Sequence, residues 1–160
     1  MVETKKANLK GFTIVELLIV IVVIAILAAI SIVAYNGIQA RSKTSAAQTS
    51  AVTMVKKAEL YNTEIGKYPV SLAALTGASS NETYYISGIV ASGTLTNNTA
   101  TNAVAHYSCG TGSPANVAAI TDSNVSGGRI YYRDYINSTN INIPFGVVSG
   151  TGVSCYYATY

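Results

Sequence analysis

Charged residues are scarce in this sequence: Asp, Glu, Lys and Arg together make up 11%, against about 25% in typical soluble domains. The formal net charge is +3, but three of the lysines precede a long apolar run near the N-terminus. Beyond residue 11 the chain is nearly neutral, with seven basic and six acidic residues. A nearly neutral body gives no electrostatic argument for nucleic acid as a partner.

Histidine and carboxylates, on which metal and catalytic sites depend, are also few. His106 is the only histidine and forms H-x-x-C with Cys109, whereas zinc sites need three or four ligands. Asp122 and Asp134 are the only acidic residues after Glu82, which is too few for a calcium cage. No G-x-S-x-G nucleophile elbow occurs. We therefore predict no catalytic residue, no metal site and no cofactor.

Tryptophan is absent and only two phenylalanines occur. Beyond the apolar run the chain is rich in Thr, Ser, Asn, Gly and Tyr, which favours an exposed extracytoplasmic β domain over a cytosolic α/β enzyme. In an exported domain the two cysteines, Cys109 and Cys155, favour one disulfide. Such a bond would stabilise the fold by about 4 kcal/mol in the chain-entropy model. Two unrelated buried thiols are the alternative.

One long apolar run is present near the N-terminus. Leu17 to Ala40 contain no charge over 24 positions, and a bilayer core needs roughly 20 helical residues. The lysines before this run keep that flank on the cytoplasmic side. We therefore expect one membrane-spanning helix, with the following domain outside the cytoplasmic membrane.

The helix is predicted to continue beyond the membrane to about residue 65. No proline lies between Phe12 and Ile65, and Gly37 is the only glycine there. Gly66 and Pro69 then supply a helix stop. One helical face is apolar at Ala47, Ala51, Met54, Val55, Ala58, Tyr61 and Ile65.

Short strands separated by turns are predicted after the helix, because aromatic and β-branched residues favour strands. The segment 70–77 adds one short helical piece. An amphipathic helix followed by consecutive strands indicates an α+β domain, with the second half of the long helix packed on a small antiparallel sheet. The candidate strands are residues 83–90, 103–109, 129–136 and 153–160.

Tyrosines and an arginine alternate in one of these strands. Alternation would place Tyr131, Arg133 and Tyr135 on one face, and Tyr132 and Asp134 on the other. Aromatic rings beside a cation are able to stack on nucleic acid bases. A strand with one buried face explains the same pattern, and we favour that interpretation.

The segment "KGFTIVELL" contains the one carboxylate of the apolar region, Glu16. A charge in a membrane helix costs about 3 kcal/mol on insertion scales, so its position calls for a function. With Lys10-Gly11, Phe12-Thr13 and Glu16, followed by "LLIVIVVIAILAAI", the segment resembles the type IV pilin family, which includes the pseudopilins of secretion and competence systems.

The resemblance implies processing by a prepilin peptidase. The enzyme would cut between Gly11 and Phe12 and N-methylate Phe12. Residues 1–11 would be a removed leader, 12–40 the membrane and filament-core helix, and 41–160 the extracytoplasmic head domain. Lipid before assembly, the pilus assembly machinery and other copies of the chain would be the partners, and a surface filament the product.

Two alternatives accompany this prediction. The chain would be a pseudopilin of a type II secretion or DNA-uptake machine, or, in a different class, a non-polymerising membrane-anchored or secreted binding domain with residues 1–30 as a conventional signal. The apolar core of a conventional signal does not need a carboxylate such as Glu16, and this disfavours the non-polymerising binding domain.

Cleavage would create an amine at Phe12, at a helix N-terminus where the dipole disfavours positive charge. A carboxylate from a neighbouring subunit would compensate that amine, so we predict that Phe12 of one subunit pairs with Glu16 of the next. Many family members have a proline where this sequence has Val33, so the resemblance does not predict the family's helix kink for this chain.

Overall fold

The computed structural model describes residues 11–111, 125–150 and 153–157. The chain divides into two compact units, Met1–Ile38 and Gln39–Tyr160. Predictions that concern residues 1–10 of the leader, Asp122, and residues 158–160 of the last strand lie outside the described residues. The elements are α1 (Ile14–Ile65), α2 (Ala73–Thr76), β1 (Val90–Ala91), β2 (Ala103–Thr111), β3 (Val125–Asp134), β4 (Thr139–Gly146) and β5 (Val153–Tyr157).

Helix α1 is assigned without interruption over 52 residues, through both Val33 and Gly37. With no proline in the segment, no backbone hydrogen bond of the helix is lost to an imide. The helix ends where Gly66 adopts a φ of 79°, a left-handed conformation that suits glycine after a helix. The predicted end at about residue 65 is confirmed, and so is the short helical piece, as α2.

The strands form a sheet in the order β1-β2-β3-β4, and β5 also pairs with β2. Pairing is antiparallel except between β1 and β2, which are parallel over two residues. β1 and β5 pair with opposite ends of β2. The predicted α+β architecture is confirmed, with this one parallel pairing as a correction.

Three of the predicted strands correspond to β2, β3 and β5, but the prediction of a strand over residues 83–90 is wrong. Only Val90 of that segment is in a strand. Its aromatic content serves packing instead: the Tyr84 ring meets the Tyr61 ring of α1 edge to face, with centroids 5.0 Å apart. β4 is not among the predicted strands, and Pro144 within it is a residue that weakens a strand pattern. Pro144 is tolerated because β4 pairs only with β3 among the described strands.

The main core lies between the second half of α1 and one face of the sheet. Met54 and Ala58 of α1 are fully buried, and Ile130 and Phe145 of the sheet pack with them. The predicted apolar face of the helix is confirmed except at its end, where Ile65 is 46% exposed. Small residues on this face, Ala47, Ala51 and Ala58, let the sheet approach the helix closely.

A carboxylate ties α1 to the turn between β3 and β4. The Thr44 hydroxyl donates to Asp134 Oδ1 at 3.2 Å and accepts from the Tyr135 backbone N–H at 2.9 Å. Asn137 Nδ2 and the Ile136 N–H donate to the same carboxylate at 2.7 and 2.9 Å. Asp134 is only 4% exposed, so these bonds replace the water that burial removes.

The second face of the sheet carries a smaller cluster. Leu95, Ala103 and Ala105 are buried there, with Tyr107, Tyr131 and Tyr157 partly buried around them. The predicted alternation holds within β3, since Tyr132 and Asp134 are buried while Tyr131 and Arg133 are half-buried. Tyr135 is an exception: it follows the strand and packs against the main core.

The predicted disulfide is confirmed. Cys109 of β2 and Cys155 of β5 are direct cross-strand partners and are bonded to each other across a sequence separation of 46 residues. The bond fixes β5 to the edge of β2. Cys109 is fully buried.

Candidate functional site at the start of the long helix

Thr13 and Glu16 form reciprocal hydrogen bonds at the start of α1. The Thr13 backbone N–H and hydroxyl donate to Glu16 Oε2 at 2.7 and 2.8 Å. In return, the Glu16 backbone N–H donates to Thr13 Oγ1 at 3.2 Å. This is a capping box, in which the residue before the first helical turn and the third residue of that turn satisfy each other's backbone N–H groups.

The capping box gives Glu16 a role that the sequence analysis did not assign. The carboxylate was predicted to be an assembly contact, and Thr13 only to match a family pattern. The sequence did contain the signal, because a Thr followed three residues later by Glu just before an apolar run is typical of a helix start. Within the single chain, the carboxylate therefore already has hydrogen-bond donors.

Gly11 and Phe12, the predicted cleavage residues, lie just before this cap. Both are outside the helix and exposed, and the Phe12 side chain is 84% exposed. Apart from Gly11 and its two chain neighbours, no described residue has an atom within 4 Å of the position that a Cβ on Gly11 would occupy. The bond between these residues is thus in an open, non-helical segment, the form in which a peptide can enter a protease.

The helix that follows exposes an almost continuous apolar surface. Large apolar side chains from Ile14 to Ile38 are between 47% and 84% exposed. By length and composition α1 could cross a membrane: its most apolar 18-residue window has a mean hydropathy of 3.4, and none of that window is buried. The core helix of a soluble protein would be mostly buried. The polar Ser31 hydroxyl within this run donates to the Leu27 carbonyl oxygen at 2.7 Å, which satisfies it without water.

Soluble monomers rarely expose contiguous apolar patches of more than a few hundred Å², whereas every large apolar side chain from Ile14 to Ile38 is exposed here. Such a surface must be shielded from water, either by lipid or by other protein chains. At its N-terminal end the same helix carries a charge, a hydrogen-bonded cap and an open backbone segment. These features lie together at the first turns of α1.

His106 and Cys109, which form the H-x-x-C pattern in the sequence, are engaged in packing and in the disulfide. His106 is buried against the Phe145 ring, with the two centroids 5.8 Å apart, and burial lowers its pKa to about 4. The Cys109 sulfur is in the disulfide, so it is not the thiolate that a metal would bind. No group of three or more potential metal ligands occurs among the described residues.

Comparison with known proteins identifies a motif at the start of α1. The model of the prokaryotic N-terminal methylation motif matches residues 6–32. The chain is also 39% identical over 88 residues to the fimbrial protein EcpC of Eikenella corrodens. That alignment covers 55% of this chain and 58% of the relative, so the chain spans less than two thirds of the relative's length. No solved structure matches the chain. The chain thus carries an N-terminal methylation motif and is homologous to a fimbrial protein.

Proposed function

We propose that this chain is the structural subunit of a type IV pilus or a related filament. In this proposal a prepilin peptidase removes residues 1–11 and methylates the new amine of Phe12. Residues 12–40 hold the subunit in the membrane and later form the filament core, and residues 41–160 form the head outside the membrane. The observation that carries the proposal is an open Gly11–Phe12 segment directly before a capped, apolar and exposed helix.

The exposed apolar helix explains both states of the subunit. Side chains such as Ile19, Ile24 and Ile30, each more than half exposed, are covered by acyl chains while the subunit is in the membrane. In a filament they are covered by the equivalent side chains of neighbouring subunits. Because both environments are apolar, moving the helix from lipid into the filament costs little free energy. Packing and specific polar contacts therefore decide whether the subunit stays in the membrane or enters the filament.

Glu16 supplies such a polar contact. Both hydrogen bonds that its carboxylate accepts from Thr13 end on Oε2, and Oε1 accepts none from the described residues. A carboxylate accepts about four hydrogen bonds. The same group can therefore keep the cap of its own helix and bind the amine of a neighbour's Phe12. In lipid an unpaired amine is costly, so this contact favours adding a subunit at one fixed axial position.

The chain has no catalytic role in this proposal. It is the substrate of the peptidase and methyltransferase, and it is the subunit that the assembly machinery adds to the filament. The homology to a fimbrial protein supports a structural role, and the methylation motif supports processing at the helix start.

Mass spectrometry of the mature chain, purified from the membrane fraction, tests the processing step. The proposal predicts an N-terminus at Phe12 that carries one methyl group. An intact Met1, or an N-terminus after Ala29, where a conventional signal peptidase would cut, would reject it. Electron microscopy then tests polymerisation: filaments that contain this chain and disappear when its gene is deleted are the expected result.

A further inference from the structure

A pocket of about 270 Å³ opens on the second face of the sheet, opposite the main core. Its lining includes Tyr107, Tyr131 and Asn140, together with the small residues Gly93 and Ala105. The volume is below the roughly 300–1,000 Å³ of sites for drug-sized ligands. The pocket is therefore suited to a single ring.

The tyrosines make the pocket wall rigid and amphipathic. The Tyr107 ring lies 4.9 Å from that of Tyr131 and 5.4 Å from that of Tyr157, measured between centroids. Tyr157 also packs over Gly93, where a Cβ would come within 3.3 Å of its ring. Rings held in this way offer apolar surface at little entropic cost and keep polar hydroxyls at their edges.

Asn140 and Arg133 provide oriented hydrogen-bond donors beside this wall. Arg133 Nη1 donates to Asn140 Oδ1 at 3.1 Å, while its Nε and Nη2 donate to Asn97 Oδ1 at 3.0 and 2.8 Å. Because Asn140 Oδ1 is already engaged, the amide N–H groups of Asn140 are the part offered to a ligand. A guanidinium has five N–H bonds, so two of those on Arg133 remain without a partner among the described residues.

The charge of this face is positive. Cross-strand pairing places Arg129 opposite Tyr107 and Arg133 opposite Asn140. Asp134, the one carboxylate in the described strands, is buried on the other side of the sheet. In addition, Arg129 Nε is buried and has no hydrogen-bond partner within the described part of the chain. An anionic group beside Asn140 would complement the charge of Arg133.

We propose that this pocket binds one pyranose unit of an acidic glycan, with the apolar face of the sugar against Tyr107 and Tyr131 and its carboxylate toward Arg133. A pyranose offers C–H groups for the rings and hydroxyl oxygens for the amide of Asn140. A carboxylate suits the planar donors of an arginine. The pocket lies within the second compact unit, so the proposal does not depend on filament assembly.

Single-stranded nucleic acid fits these observations less well. It needs a charged groove along its backbone and successive open aromatic faces. Here the Tyr107 ring is inclined by 57° to Tyr131 and by 65° to Tyr157, so the three rings do not present parallel faces to successive bases. The body of the chain is also nearly neutral.

The test uses the full chain in a non-ionic detergent without a sugar headgroup, observed by NMR chemical shifts. The probes are methyl β-D-glucuronide and methyl β-D-glucoside, which differ only by the carboxylate at C6. We expect shifts at Tyr107, Tyr131 and Asn140, and roughly tenfold tighter binding of the glucuronide. Arg133→Gln should remove this preference, and Asn140→Ala should weaken binding of the glucuronide about tenfold.

Asn142→Ala is the matched control, because Asn142 is an exposed asparagine of the same strand and pairs with Tyr131. It should bind the glucuronide like the wild type. Circular dichroism melts establish that each variant is folded, and the comparison of the two probes on the wild type needs no variant. Equal affinity for both probes, no binding, or equal losses in Asn140→Ala and Asn142→Ala would overturn the proposal. Tighter binding of an oligothymidylate than of the glucuronide at these residues would overturn it too.

Discussion

The carboxylate of Glu16 accepts hydrogen bonds from the backbone N–H and the hydroxyl of Thr13, at 2.7 and 2.8 Å. The charge at the start of the apolar helix thus has donors within its own chain. These bonds offset part of the cost of a carboxylate near lipid. In the proposed filament, a neighbour's amine would add to this cap and need not replace it.

The cap should be measurable in the single subunit. Thr13→Val keeps the branched shape of the side chain and removes the hydroxyl that the Glu16 N–H binds. We expect a loss of about 1 kcal/mol in the stability of the first helical turn. Amide hydrogen exchange at Glu16 and Leu17 in the detergent-solubilised chain should become about fivefold faster. Thr13→Ser keeps a hydroxyl and is the control. Equal exchange in the two variants would show that the cap contributes nothing.

The disulfide should account for a large part of the stability of the head. Replacing both Cys109 and Cys155 by serine should lower the free energy of unfolding by about 4 kcal/mol, because the closed loop restricts the unfolded chain. Urea denaturation of the detergent-solubilised chain measures this loss. A reductant should produce the same loss in the wild type and have no effect on the double variant. A loss below about 1 kcal/mol would contradict the prediction.

His106 should make the head less stable in mild acid. Burial lowers its pKa to about 4, from an ordinary value of 6.5. Between these two values the unfolded chain binds a proton that the folded chain does not, so the free energy of unfolding falls as the pH falls. The loss is on the order of 3 kcal/mol between pH 6.5 and 4.

His106→Leu should remove this part of the pH dependence. Neither ring nitrogen of His106 has a hydrogen-bond partner within the described part of the chain, so leucine also removes a desolvation cost. Denaturation curves of wild type and variant at several pH values should diverge as the pH falls from 6.5 to 4. Curves that stay parallel would contradict the assignment to His106.

Asp134 should also make the head less stable in acid, at a lower pH than His106, because here the ionised form is the stabilising one. The Asn137 side chain, followed by the Ile136 N–H, lowers the pKa of this carboxyl below its ordinary value of 3.8. The ionised form therefore stabilises the fold above that value, and the stabilisation is lost as the pH falls through the folded-state pKa.

Asp134→Asn should consequently be less stable than the wild type at pH 7. The difference in the free energy of unfolding should shrink as the pH falls below about 4. Chemical denaturation at pH 7 and pH 3 measures both values. A difference that is the same at the two pH values would mean that the charge of Asp134 is not what holds Thr44 and the turn.

The helix was predictable because its signals are local. An unbroken apolar run, the absence of proline and the glycine at position 66 each act within a few residues of the position they determine. The sheet depends on contacts between distant segments. Tyr84 and its neighbours have strand-like composition, yet the Tyr84 ring packs on Tyr61 of α1. Propensity alone does not distinguish these two uses of an aromatic residue.

The site was predictable in part for the same reason. The carboxylate at position 16 is conspicuous in an apolar run. In an exported domain, a disulfide is the state that two cysteines favour. The sugar-sized pocket could not be foreseen, since Gly93, Tyr107 and Asn140 come from three separate segments. These residues lie close together only because β2, β3 and β4 pair and the loop before β2 packs beside them.

The most direct test of the proposed assembly contact is the incorporation of a Glu16→Gln subunit into filaments. Glutamine keeps the size of the side chain and is able to serve in a capping box, but it removes the charge. In cells that express both forms, mass spectrometry of sheared filaments gives the ratio of variant to wild-type subunit. Thr13→Val, which weakens the cap and keeps the charge, is the matched control.

We expect Glu16→Gln to be cleaved and methylated normally but to be at least about tenfold depleted from filaments, because a buried charge-assisted contact of this kind is worth roughly 1.5–3 kcal/mol. Thr13→Val should enter filaments near the wild-type level. Glu16→Gln subunits that are processed and then incorporated as often as the wild type would contradict the pairing of Glu16 with a neighbour's Phe12.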